Sequence, residues 1–327
     1  MPVLAKEVKE LANQLANNPQ TFFIDATLGY GGHSSILYST IQNSTGSGTL
    51  LSIEWDPSAI EYVTQKFKSQ ITETFRFTPQ TGLHQVQTLK SAHSPNIKWL
   101  IVEANFAYIE PIVKQLNKLN KTPEQADLIL ADLGASTPQL KSTNRGFSFS
   151  NPNQVLDMRM APQIYDVKAA DLLNFLSIKE LERLFISTVN MPKVLAKKLA
   201  WAIQIEKQNK PFGNPDDVKR LLNICNKLTP LRESSKKRLH PATLVFLALR
   251  IAVNMELQNL YELLKSAPTI LKKGGVLAVI GFHSMEWQIL DKPPKALKLL
   301  EVIVPKTEEV KQNPKSRSAK MYIYQRI

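Results

Sequence analysis

The sequence predicts an α/β protein whose parallel sheet is interrupted by a largely helical insertion. Three observations carry that prediction. Short apolar runs of high β propensity alternate with helical periods up to residue 132, and a further such run follows at Val276–Phe282. Between them, 166–210 and 215–228 read as helices rich in Leu and Lys. And residues 21–34, Thr-Phe-Phe-Ile-Asp-Ala-Thr-Leu-Gly-Tyr-Gly-Gly-His-Ser, have the strand, glycine turn, helix order of a nucleotide-binding unit.

In order, Leu4, Val8, Leu11 and Leu15 share one stripe of an N-terminal helix that Asn17-Asn18-Pro19 ends. Phe22-Phe23-Ile24 is strand one, closed by Asp25. Gly29, Gly31 and Gly32 lack Cβ atoms, so the backbone there can lie against a ligand, and the helix from His33 offers free N–H groups. Strand two, Thr49–Ile53, ends in Glu54, 23 residues after Gly31, placed to accept hydrogen bonds from ribose hydroxyls. Asp56-Pro57 caps the next helix. A ribose-bearing cofactor is the leading inference.

Residues 70–99, poor in periodicity, read as an extended surface insertion with short strands. Strand three is Trp99–Glu103, and Phe106 just past it either stacks beside an adenine or packs in the core. Strand four, Asp127–Asp132, delivers Asp132 to the edge that carries the glycine loop, which makes it the best candidate to touch both cofactor and substrate, the alternative being a cap of the following turn. Arg145-Gly-Phe-Ser-Phe149 and Leu156-Asp-Met-Arg-Met160 mix cations with aromatics, suited to clamping a phosphate and stacking a base, or equally to local packing. One long helix is expected from His240-Pro241 to about Ala267. Strand five, Val276–Phe282, presents His283, which either contacts a ligand or caps the next helix; Leu299–Val304 and Met321–Gln325 form a closing antiparallel pair.

The net charge of +13 is uneven. Residues 193–240 carry twelve Lys/Arg against four Asp/Glu, and 292–327 carry nine against three, so the rest is near neutral. Such zones suit a polyanion such as RNA. A single cysteine, Cys225, excludes an internal disulfide and a multi-cysteine metal site, and no metal is expected. No apolar run is long enough to span a membrane, and Met-Pro-Val-Leu-Ala-Lys-Glu resembles neither a signal nor a transit peptide, so a cytoplasmic protein is expected.

Pro2-Val-Leu4, the 25–34 segment, Glu54-Trp-Asp-Pro57, Asn105-Phe106 and Asp132-Leu-Gly-Ala-Ser-Thr-Pro-Gln-Leu140 occur in order. They are followed by the 145–149 and 156–160 segments, Ala248-Leu-Arg-Ile-Ala-Val-Asn254 and Gly281-Phe-His-Ser284. This set resembles the ribosomal RNA small-subunit methyltransferase H (MraW) family over nearly the whole chain. The resemblance implies a class I, Rossmann-like methyltransferase sheet, 1–141 with 240–327, and an inserted, mainly helical substrate-recognition domain, 142–239. It implies S-adenosylmethionine as cofactor and methylation of the exocyclic amine of a cytidine in small-subunit rRNA, free or within the small ribosomal subunit. Cofactor-binding positions would be Asp25, Gly29, Gly31, Gly32, His33, Glu54, Phe106, Asp132 and Gln139. Asp132, Ser136 and His283 would be catalytic. Arg145, Phe147, Phe149, Asp157, Arg159, Arg250 and Asn254 would bind substrate. A homodimer is compatible with this reading. The competing readings are an NAD-dependent oxidoreductase, against which Ser34 occupies the third Rossmann glycine position, and a non-catalytic RNA-binding relative.

Overall fold

The computed structural model describes the chain except residues 1, 18, 90–95, 136–144, 149–150 and 229–240. Its contacts divide it into two compact units, Met1–Gly134 with Gln258–Ile327, and Ala135–Leu257.

The first unit is built on nine strands: β1 (Phe22–Asp25), β2 (Gly48–Glu54), β3 (Glu73–Thr78), β4 (Gly82–Thr88), β5 (Ile97–Glu103), β6 (Ala126–Asp132), β7 (Leu271–Gly281), β8 (Leu297–Ile303) and β9 (Lys320–Arg326). They lie in the order β4-β3-β5-β2-β1-β6-β7-β9-β8. From β3 to β7 every pairing is parallel, while β4 and β9 run antiparallel to their neighbours. This is the class I methyltransferase sheet expected from the sequence. The chain runs outward from β1 to β2, then returns to lay β6 on the other side of β1. That reversal opens a crevice at the carboxyl ends of β2, β1 and β6.

Alternation along the strands assigns the two faces. Phe22, Ile24, Leu51, Ile53, Ile129 and Val279 point one way, against α4 (Ile109–Lys118) and Leu260, Leu263 and Leu264 of α10 (Glu256–Ile270). Phe23, Leu50, Leu128, Leu130 and Ile280 point the other way, against α1 (Ala5–Leu15) and α2 (Gly32–Ser44). With both faces covered, the central strands read as nearly unbroken apolar runs. The helix α3 (Pro57–Lys66) starts as expected, with Asp56 accepting from Ser58 N at 3.0 Å and Pro57 in the first turn.

Two expectations change here. The 70–99 stretch holds sheet strands: β3 pairs parallel with β5 and antiparallel with β4. Phe75 and Phe77 are buried, and the many polar residues fall on β4, the exposed edge. And strand five starts earlier than expected, with β7 beginning at Leu271 and running through Lys272-Lys273-Gly274-Gly275.

The second unit is helical: α5 (Ala169–Phe175), α6 (Ile178–Val189), α7 (Lys193–Asn209), α8 (Asp217–Leu228) and α9 (Pro241–Val253). Ser177 and Glu180 form a capping box that opens α6, and Asn190 in the left-handed conformation (φ 52°) ends it. Leu173, Leu181, Phe185, Leu199, Ile203, Leu221, Val245 and Leu249 are buried here. The unit is wider than the 142–239 insertion read from the sequence, because α9 packs on α6 and α8. The single helix expected over 240–267 is two, α9 and α10, broken at Asn254-Met255. Met255 sits at φ 51°, and the Asn254 side chain is committed to the 158–160 segment.

Candidate active site

The β1–α2 turn is shaped by glycine. Gly29 (φ 48°) and Gly31 (φ 79°) adopt the left-handed region, and a Cβ on Gly31 would lie 2.8 Å from the Phe67 ring. No side chain caps α2, so its first-turn N–H groups are left for another partner.

Asp25 lies beneath this turn, fully buried. It accepts from Ser34 Oγ at 2.6 Å and Thr27 N at 3.1 Å. Ser34 Oγ pairs with Ser52 Oγ at 2.9 Å, which accepts from Trp99 Nε1 at 3.0 Å. A chain of hydrogen bonds thus runs from β5 through β2 and α2 to β1. Asp25, expected as a cofactor contact, has no exposed surface and holds the turn from below. Burial raises its pKa against the opposing pull of His33, Ser34 and Thr27.

Glu54 closes β2, also buried. Its Oε1 accepts from Trp55 N and Asp56 N, both at 2.9 Å, and its Oε2 accepts from Gly29 N at 2.8 Å. The last bond ties the glycine turn to β2. A carboxylate has about four acceptor positions, so one remains on Oε2. Burial pushes Glu54 up to about 7, against the lowering effect of these amides.

Asp132, at the tip of β6, is held by its backbone: its N–H donates to Thr27 Oγ1 at 2.7 Å. Its Oδ2 lies 3.4 Å from Nε2 of His33, which is 5 % exposed on α2. Burial disfavours the imidazolium, but Asp132, Asp25 and Glu309 together outweigh it and raise the His33 pKa. Among the described residues, the buried Asp132 Oδ1 has no hydrogen-bond partner, and neither has His33 Nδ1. Glu309 also accepts the Leu4 amide at 2.8 Å, while Pro2 lies where a Cβ on Gly32 would come within 3.3 Å. The N-terminal segment therefore packs on the glycine turn.

Phe106 is half-buried against the apolar layer below the sheet edge, after Asn105, whose Oδ1 accepts from Ala107 N at 2.9 Å. His283 takes the capping alternative. It is the N-cap of α11 (Ser284–Leu290), its Nδ1 accepting from Glu286 N at 3.4 Å, with Glu286 returning to Phe282 N at 2.6 Å. The Nδ1 of His283, expected as a secondary catalytic group, thus serves the helix start, and its Nε2 lies 3.1 Å from Glu286 Oε1.

The signature residues of the second unit bond to one another. Arg145 donates to the Arg159 and Met160 carbonyls at 2.9 and 3.1 Å and lies 5.4 Å from the Phe147 ring, which is buried. Arg159 forms a two-pronged pair with Asp157, both bonds 2.8 Å, which keeps the Asp157 carboxyl below its ordinary value despite burial. Arg250 pairs likewise with Glu256, at 2.8 and 2.9 Å. Asn254, with no exposed surface, accepts from Met160 N at 2.7 Å and donates to Met158 O at 2.8 Å. Asp157, Arg159, Arg250 and Asn254, expected to bind substrate, thus form a clasp that fastens 145–160 to the end of α9. Ser136, Gln139 and Phe149 lie outside the described residues.

Sequence reasoning missed Thr27, Ser34, Ser52 and Trp99 as parts of the site. Thr27 carried a local signal, a hydroxyl two residues after Asp25; Ser52 and Trp99 carried none, because their bonds cross from strand to helix and from strand to strand.

A sequence model of the MraW methylase family matches residues 1–295. Proteins named ribosomal RNA small subunit methyltransferase H are similar end to end. The one from Coprothermobacter proteolyticus is 33% identical over 333 residues, covering 99% of this chain and 95% of the relative. Those from Dictyoglomus thermophilum and Thermosipho melanesiensis are each 34% identical over 331 residues, covering 99% and 100% of this chain and 96% and 97% of the relatives. With the family's match running through the glycine turn, Glu54, Asp132 and the clasp, this chain belongs to the MraW methylase family.

Proposed function

We propose that this protein is an S-adenosylmethionine-dependent rRNA methyltransferase, acting in the cytoplasm on the exocyclic N4 amine of a cytidine in small-subunit rRNA. The observation that carries the reading is the convergence of the glycine turn, Glu54 and Asp132 at the carboxyl edge of β2, β1 and β6. The residues fit the cofactor: a close-approach backbone without side chains, an uncapped helix start, one open acceptor position on Glu54, and a buried Asp132 oxygen without a partner among the described residues. Bound S-adenosylmethionine supplies an electrophilic methyl group. Glu54 would accept a ribose hydroxyl, and Gly31, Gly32 and His33 would line the methionine end.

A cytosine amine is weakly nucleophilic because its lone pair is delocalised into the ring. The protein's task is orientation, worth roughly 7–11 kcal/mol in well-aligned reactions. Asp132 Oδ1 would accept an amine hydrogen and keep the lone pair aimed, while His33 holds the other oxygen. Ser136 is a secondary candidate. The target base must lie unstacked to reach the strand tips. The helical unit would recognise RNA: residues 135–257 carry nineteen Lys/Arg against ten Asp/Glu. Oxidoreduction with NAD finds no support in the family.

The test is methylation of small ribosomal subunits with labelled S-adenosylmethionine, followed by mass mapping of the modified nucleotide. N4-methylcytidine is the expected product. Asp132→Asn should lower the rate by about 100-fold, with cofactor affinity within a few-fold. A full rate in that variant removes Asp132 from its role, and cofactor binding with RNA binding but no transfer leaves the non-catalytic reading.

A further inference from the structure

The helix α7 has apolar residues on two faces. Ala196, Leu199, Ala200 and Ile203 are buried in the helical unit. On the opposite face, Val194, Trp201 and Ile205 are 69%, 51% and 57% exposed. A half-exposed tryptophan flanked by exposed aliphatics is unusual for a surface with nothing to bind.

The charge on that face is of one sign. Lys193, Lys197 and Lys198 are all exposed, and the last two stand one turn from Trp201. The only carboxylate in α7 is Glu206, held by Arg220 Nε at 2.8 Å toward α8. The cation of Lys207 is likewise occupied, donating to Asn174 O at 2.7 Å. Lys193, Lys197 and Lys198, which make no ion pair among the described residues, thus lie beside an aromatic face with no acidic neighbour on the helix to neutralise them. A protein ligand of ordinary composition would not select for this. A single-stranded nucleic acid would, since its bases offer π-faces and its phosphates the opposite charge.

We propose that the outward face of α7 docks a single-stranded stretch of the RNA substrate, with Trp201 stacking on an unpaired base and Lys197 and Lys198 on flanking phosphates. This rests on the rRNA methyltransferase reading above. Stacking accounts for an exposed tryptophan better than hydrogen-bond readout, because every base has a π-face; the helix contributes grip and position, and little sequence choice.

The test uses the full chain and a short single-stranded RNA oligonucleotide, with binding followed by anisotropy at several salt concentrations. Trp201→Ala should weaken binding by roughly tenfold, and Trp201→Phe should retain most of it. The double variant Lys197→Ala/Lys198→Ala should lower the slope of log affinity against log salt by about 0.7 for each lysine. Calorimetric affinity for S-adenosylmethionine should stay unchanged in all three, which reports on folding. The proposal is overturned if Trp201→Ala and the double variant bind RNA as the wild type does while the wild type methylates small subunits. If the wild type neither binds nor methylates RNA, the functional reading falls and takes this one with it. Loss of tryptophan quenching by RNA in Trp201→Phe, with quenching in the wild type, supports the stacking contact.

Discussion

The carboxyl of Glu54 links the glycine turn to pH in a way that can be measured without any cofactor. Its pKa rises from 4.5 to about 7 on folding because burial outweighs three backbone amide donors. The sign follows from proton affinity. The folded state holds this proton more tightly than the unfolded state, so the contribution is greatest below pH 4.5 and is lost as pH rises toward 7. Between pH 5 and pH 8 the loss from this one group is about 2–3 kcal/mol. The wild-type curve alone will not isolate it. His33 and Asp25 are also raised, and both act in the same direction.

The assay is therefore a difference. Urea unfolding of the wild type and Glu54→Gln is compared at half-unit steps from pH 5 to 8. The glutamine variant has a constant offset, since its amide would face the Gly29 N–H where Oε2 accepts now. The offset is set aside; the pH dependence of the difference is the readout. It should fall by about 2–3 kcal/mol across the range. A flat difference would refute the account of Glu54. Cofactor affinity should move the opposite way, strengthening as pH rises through 7, because an ionised carboxylate accepts a hydroxyl hydrogen bond better than a neutral acid does. Glu54→Gln should abolish that trend.

Other outcomes follow from the same contacts. Gly31→Ala combines a left-handed φ with a 2.8 Å approach to Phe67, so thermal unfolding should show a loss of about 1–3 kcal/mol and calorimetry a weaker cofactor. Asn254→Leu strands the buried Met160 N–H and Met158 carbonyl, and denaturant titration should record about 2–5 kcal/mol of destabilisation with cofactor affinity little changed. Gly146→Ala brings a Cβ within 2.5 Å of the Val155 carbonyl oxygen at φ 74°, and limited proteolysis should find the 145–160 segment opened.

How far the sequence reaches depends on the range of the interactions involved. The order of strands and helices in the sheet unit was legible because each central strand is a run of apolar residues closed by a polar one. Phe22–Asp25, Ala126–Asp132 and Gly48–Glu54 each carry their own boundary. The glycine turn was legible because positive φ and close approach leave a residue-type signature. So was the capping alternative for His283, a local bond over three residues. What lay beyond reach joins distant segments. Nothing near Asp25 announces that Ser34, Ser52 and Trp99 will commit it from below. Nothing in Arg145-Gly-Phe-Ser-Phe149 says whether its cation will meet a phosphate or the Arg159 and Met160 carbonyls. That choice belongs to tertiary structure, because a buried charge must find a partner and the nearest one wins. The break at Asn254 is of the same kind: periodicity runs on through 240–267, and the helix ends where its side chain is worth more to the Met158 carbonyl and Met160 amide than to a continued turn. Local pattern was enough for the sheet, the glycine turn and the carboxylates at the strand tips. Which charged and polar residues remain available to a ligand was settled by packing, because that depends on partners that the chain brings together across separations from 9 to 94 residues.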